Sequence, residues 1–144
     1  MLGFHMMHQV ARRNCFPGTM ENGIGTVLMF VVRSIFSIPG RLEETMAALA
    51  VEGKVPEWLG ESDNPLGFLI HEGGAESIID AAYRYVRHEP GTDVILFGTG
   101  NEDHLRTNLA SILKGPLPAE DVAKLEKLFS HLEGVGLDLP EKRK

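Results

Sequence analysis

The 144 residues are 43% hydrophobic and 24% charged, a composition that excludes wholesale disorder and suits one domain with a sizeable core. Fourteen basic against twenty acidic residues give a formal charge of −6, which argues against a nucleic-acid surface. The single cysteine, Cys15, excludes an internal disulfide; with no signal-peptide layout in MLGFHMMHQ and no apolar run long enough to span a bilayer, the expectation is a cytoplasmic protein.

In chain order, Leu2 to Met7 reads as a short buried strand. Val10 to Asn22 is helix-like but carries Pro17-Gly18, which predicts a short or interrupted helix before the Asn22-Gly23 stop. Ile24 to Val32 is an unbroken apolar run, the pattern of a strand buried on both faces in a parallel sheet. Pro39 stands where a helix can start, with Leu42, Met46 and Leu49 at helical spacing up to Gly53. Lys54 to Gly74 reads as a covering loop within the domain, anchored by Trp58 and Phe68. Ser77 and Asp80 resemble a capping box, and Ile79, Ala82, Tyr83 and Val86 form the buried stripe of the helix they open. Pro90-Gly91 ends that unit. A strand from Asp93 to Phe97 follows, then a glycine turn and a helix from about Asn101 to Leu113 with Leu105, Leu109 and Ile112 inward. Pro118 opens a last helix with Val122, Leu125, Leu128 and Leu132 on its apolar side, and Leu139 to Lys144 is a solvated basic tail. Strands alternating with helices predict an α/β fold of parallel β/α units.

The stretch DVILFGTGNEDHLRTNL carries the most chemistry. A strand that runs through Gly98-Thr99-Gly100-Asn101 into a helix can cradle a phosphate on free backbone N–H groups, aided by the helix dipole and the Thr99 hydroxyl. The same four residues also make an ordinary helix cap with Asn101 at the cap position. His104 and Asn108 are four apart and share a helix face, which serves either a ligand or solvent. Met29 and Phe30 end the second strand, where they fit core packing or a ring contact, and Arg33 and Ser34 follow within reach of a pyrophosphate or of bulk water. His5 and His8, three apart on a strand, would point to opposite faces, which is poor for chelation. His71 and His88 read as surface residues. Cys15, near Arg12 and Arg13, reads as a helix cysteine, and GxSxG is absent.

The segments GFHMMHQVARRNCFPGTMENGIGTVLMF, DAAYRYVRHEPGTDVILFGTGN and NEDHLRTNL together resemble the C-terminal portion of the aldo/keto reductase family, over about Leu2 to Phe129. The resemblance implies about the last three units of a (β/α)8 TIM barrel that reduces carbonyl groups with NADP(H) or NAD(H). A full barrel takes roughly 250 residues. It also implies that the family's catalytic Asp, Tyr, Lys and His would precede Met1, so no residue here is assigned to catalysis and a Tyr outside this chain would supply the proton. By the same resemblance Gly98, Thr99, Gly100 and Asn101 face the adenosine-phosphate side of the cofactor, and Asn108 lies near the adenine. Met29 stands where many members stack an aromatic ring on nicotinamide, and Phe30 and Arg33 flank it. His104 and Thr107 depart from the Arg and Glu of many members, which weakens the case for NADP over NAD.

Three parallel strands alone would leave two open edges and one uncovered apolar face. The expectation is therefore a truncated or mis-started piece that self-associates or docks on a complementing N-terminal chain. Two functions follow. One is the cofactor-holding part of a reductase, whose partners are a nicotinamide cofactor and a small carbonyl substrate. The other is a non-catalytic remnant or a nucleotide- or partner-binding module.

Overall fold

The computed structural model describes residues 1–137, so the basic tail lies outside the described residues. Three short strands, β1 (Leu2–Gly3), β2 (Val27–Met29) and β3 (Val94–Ile95), pair in parallel in the order β1-β2-β3. The helices α1 (Ala11–Asn14) and α2 (Phe16–Glu21) join β1 to β2. The long connection to β3 holds α3 (Ser34–Ser37), α4 (Arg41–Val51), α5 (Glu57–Gly60) and α6 (Ile78–Arg87). After β3 come α7 (Glu102–Leu113) and α8 (Ala119–Phe129). This is an α/β fold of parallel strands with flanking helices, and the described residues form no closed barrel. No described helix is long and apolar enough to cross a membrane.

The strands are shorter than the apolar runs that contain them. After β1 only the Phe4 N–H continues the ladder, to the Met29 carbonyl at 3.2 Å. The chain then folds back, and His5 and His8 pair across a tight antiparallel bridge with their rings 5.9 Å apart. They do not lie on opposite strand faces as the alternation predicts. β2 starts late because the turn at Gly23 (φ 63°) leaves Ile24 exposed, and it stops at Phe30, whose φ of 67° breaks the extended backbone.

Register explains the packing. Leu2 faces Leu28, Gly3 faces Met29, Val27 faces Val94 and Leu28 faces Ile95. Alternation then puts Leu2, Phe4, Leu28 and Ile95 on one face, and Gly3, Val27, Met29, Val94 and Leu96 on the other. The first face meets the helices: Phe4 lies edge-on to Phe16 at 5.2 Å and stacks on Tyr85 at 6.0 Å. The second face is largely bare, with Val94 51% and Leu96 47% exposed. β2 is therefore covered on one face, not both.

Most predicted helix stripes are buried as their spacing requires. Leu42, Met46 and Leu49 on α4 are buried, as are Ala82, Tyr83 and Val86 on α6 and Leu125, Leu128 and Leu132 in and after α8; Ile79 and Val122 are half-buried. The helix after β1 splits at Cys15 because Pro17 has no N–H to donate and settles in the first turn of α2. α4 starts at Arg41, after Gly40 takes a left-handed φ of 79°. Two expectations fail. Trp58 is 49% exposed under the Lys124 ammonium, because its neighbour Leu59 takes the inward position with Leu66 and Leu69. Leu105 and Leu109 on α7 are 47% and 49% exposed, because the surface they would face lies beyond β3, the last strand of this sheet. Only Ile112 is half-buried.

A polar brace spans the helix layer. The Arg12 guanidinium is paired with both Glu89 oxygens, with the Tyr85 hydroxyl at 3.0 Å and with Glu126 at 2.9 Å. His5 is fully buried: it accepts the Met7 N–H at Nδ1 (3.2 Å), receives the edge of Phe36 and lies under Gly136. Burial first, then nearby His8, lowers its pKa to about 3. The unfolded chain thus binds a proton below pH 6.5 that the folded chain refuses, so stability falls with pH. Urea unfolding at pH 7.5 and 5.5 should differ by about 1.4 kcal/mol from His5 alone. His5→Gln should remove that share, leaving the same-signed contribution of His8 and the opposite one of His71, whose pKa the Asp121 carboxylate raises.

Candidate functional site

In parallel β/α units, ligands bind where strands end and helices begin. The carboxyl ends of β2 and β3 flank a cleft of about 840 Å³. This lies within the roughly 300–1,000 Å³ of small-molecule sites.

The β2 side is shaped by Phe30. Its left-handed backbone (φ 67°) turns the ring toward β1, where a Cβ on Gly3 would meet it at 3.1 Å. A non-glycine residue held in this conformation is strained, and such strain concentrates at binding sites. The Arg33 guanidinium lies 4.5 Å over the Phe30 ring, a cation–π contact that fixes a positive charge at the cleft wall. Met29, the last residue of β2, lines the same wall.

The β3 side is shaped by glycines. Leu96 holds the strand end to β2 through its N–H and the Leu28 carbonyl (2.8 Å). Phe97 packs edge-on against Tyr83 at 5.7 Å. A Cβ at Gly98 or Gly100 would meet nothing within 4 Å, so space lies open beside the loop. The N–H groups of Gly98, Thr99 and Gly100 donate to no acceptor among the described residues. Thr99 Oγ1 accepts the Asn101 N–H at 3.1 Å, and Asn101 Oδ1 accepts the N–H groups of Asp103 (2.8 Å) and His104 (3.1 Å). Asn101 is thus the N-cap of α7, and the free donors are those of the loop ahead of the helix.

Of the residues singled out in the sequence, Met29, Phe30, Arg33, Gly98, Thr99, His104 and Asn108 line this one cleft; Gly100 and Asn101 stand on the exposed turn beside it. Sequence reasoning missed Ser37, Ser77, Ile79 and Tyr83, which also line it. The missed signal is topological. A helix that returns to a parallel strand begins at the carboxyl end of the sheet, so the first turns of α6 belong to the site as well as to the core.

A model of the aldo/keto reductase family matches residues 2–129. The chain belongs to the aldo/keto reductase family. Its fold is similar to that of the aldo-keto reductase AKR11C1 from Bacillus halodurans in its apo form (TM-score 0.58, 16% identity, 92% of this chain and 44% of that one). The holo form of the same protein matches with the same TM-score and identity, over 92% of this chain and 43% of that one. The chain therefore spans less than half the length of those solved structures. No curated protein matches it.

In this member of the family, α6 is fixed by charge as well as packing. Asp80 accepts the Glu76 N–H (3.1 Å), Lys114 Nζ (3.0 Å) and Arg84 Nη1 (3.3 Å), and its own N–H donates to Ser77 Oγ (3.1 Å). Arg84 also donates to the carbonyls of Gly74, Gly115 and Pro116 at 2.8 to 2.9 Å. Burial pushes the Asp80 carboxyl up, but the bonds from Lys114 and Glu76 outweigh it and hold it below the usual range. No group of three or more His, Cys, Asp or Glu among the described residues is placed to hold a metal. Asp80→Ala takes the buried carboxylate from Arg84 and Lys114, leaving Lys114 only Glu76 and Arg84 only its carbonyl partners, and should cost roughly 3 kcal/mol of stability, read by chemical unfolding.

Proposed function

We propose that this chain is the C-terminal, cofactor-holding part of an NAD(P)H-dependent aldo/keto reductase, corresponding to the last three β/α units of its barrel. The observation that carries the reading is that one cleft gathers seven of the nine residues to which the family resemblance points. The open space at Gly98 and Gly100 and the free N–H groups of that loop suit the approach of a diphosphate. Arg33 supplies positive charge to it, and Met29 offers a polarizable side chain to the nicotinamide ring. His104, Thr107 and Asn108 take the adenosine side. His104 offers a phosphate a weaker hold than an arginine fork would, so both NADP(H) and NAD(H) are admitted. When bound, the cofactor supplies the hydride. In this reading, the groups that polarise the carbonyl and deliver the proton come from strands outside this chain.

Those strands have a place to attach. The bare face at Val94 and Leu96, the free edge of β3 and the exposed Leu105, Leu109 and Leu113 of α7 are apolar surfaces left uncovered among the described residues. We assign them to the rest of the barrel, carried on a longer polypeptide or on a complementing chain.

The 144-residue chain alone should bind NADP(H) yet catalyse no NADPH-dependent carbonyl reduction. Gly98→Val should keep its melting temperature, because its Cβ meets open space, and lose on the order of tenfold in NADP(H) affinity, about 1.4 kcal/mol. Substantial turnover by the purified chain, or unchanged affinity in the valine variant, overturns the assignment.

A further inference from the structure

The helix stripe of α6 contains one group that core packing does not explain. Tyr83 is only 2% exposed and its ring is held edge-on by Phe97. A buried phenol normally finds a hydrogen-bond partner, because burying the hydroxyl unmet forfeits its water. The Tyr83 hydroxyl has none among the described residues, and it is not among the atoms sealed from solvent without a partner. It therefore opens into accessible space, and Tyr83 lines the cleft between β2 and β3. The neighbouring lining explains what it is for. Ile79 and Phe97 give apolar wall, while Ser77, Thr107 and Asn108 give neutral hydroxyl and amide groups. Apolar walls with a few neutral donors and acceptors suit a heteroaromatic base and its sugar, whereas the charge suited to phosphate, Arg33, stands at the β2 wall.

Resting on the cofactor-holding reading above, we propose that Tyr83 is a specificity residue at the floor of the cleft, its hydroxyl hydrogen-bonding the adenosine half of the dinucleotide. Burial raises the phenol's pKa, which keeps the proton on the oxygen at neutral pH and leaves it able to donate or accept. Removing only that oxygen leaves the ring and its contact with Phe97 in place, so Tyr83→Phe separates the hydroxyl from the fold.

The test is competition binding with the full chain, using NADP+, AMP and nicotinamide mononucleotide as probes, on wild type, Tyr83→Phe and Gly98→Val, with a thermal melt of each. The expected result is a roughly tenfold loss of AMP and NADP+ affinity in Tyr83→Phe, with an unchanged melting temperature and unchanged nicotinamide mononucleotide affinity. If Gly98→Val weakens NADP+ while Tyr83→Phe binds AMP as tightly as wild type, the role of Tyr83 falls and the cofactor reading stands. An equal loss for all three probes, or no AMP binding by wild type, also overturns the assignment of Tyr83 to adenosine. If wild type binds none of the probes, both fall together.

Discussion

Among the described residues, everything depends on a parallel sheet with helices on one face only. Parallel sheets hold their strands by burying both faces, since each strand alone contributes few backbone bonds. Here Phe4, Leu28 and Ile95 meet the helix layer, while Val94 and Leu96 look outward. The strands are correspondingly short, two or three residues each, and the ladder leans on side-chain anchors at its ends. Thr26 is such an anchor: its N–H donates to Asp93 Oδ2 at 2.7 Å and its hydroxyl bonds the Gly91 carbonyl at 2.5 Å. Gly91 must be glycine, since it takes φ 95° and a Cβ would lie 2.8 Å from Phe16.

Stability then shifts from the sheet to the helix layer, and the polar braces show it. Arg12 with Glu89 ties the first connection to the end of α6, and Arg84 with Asp80 and Lys114 ties the start of α6 to the segments on either side. Partly buried pairs of this kind cost desolvation, and they are worth keeping when they fix orientation. What they orient is α6, the helix whose opening turns form one wall of the cleft. In the proposed reading, a structural demand and a binding demand therefore meet in the same helix.

Much of this was legible in the chain. The alternation of strands and helices, the Ser77 cap, the break at Pro17 and the stripes of α4, α6 and α8 follow from local chemistry, which a sequence displays directly. So do seven of the cleft residues, Gly98 and Thr99 among them, because they stand at strand ends and on the helix that follows. What was not legible depends on neighbours. Leu105 and Leu109 carry a buried pattern but find no partner surface, since periodicity records what a helix is built to meet and not whether it is met. Trp58 lost its inward place to Leu59 by a rotation of one residue. Tyr83 has the spacing of a core aromatic, and only three-dimensional placement reveals its free hydroxyl.

The bare face and the cleft are not separate features. Met29 and Leu96 belong to both: they stand on the uncovered side of the sheet and they line the site. A strand added beside β3 would cover Leu96 and at the same time rebuild that wall, so in the proposed reading completing the fold and completing the site are one event. On that reading, cofactor held at the carboxyl ends of β2 and β3 would stabilise the arrangement that the added strands recognise, and by linkage those strands would tighten the cofactor by the same factor. A chain left with half of its sheet unburied thus gains most from a ligand that bridges the two strand ends it already has.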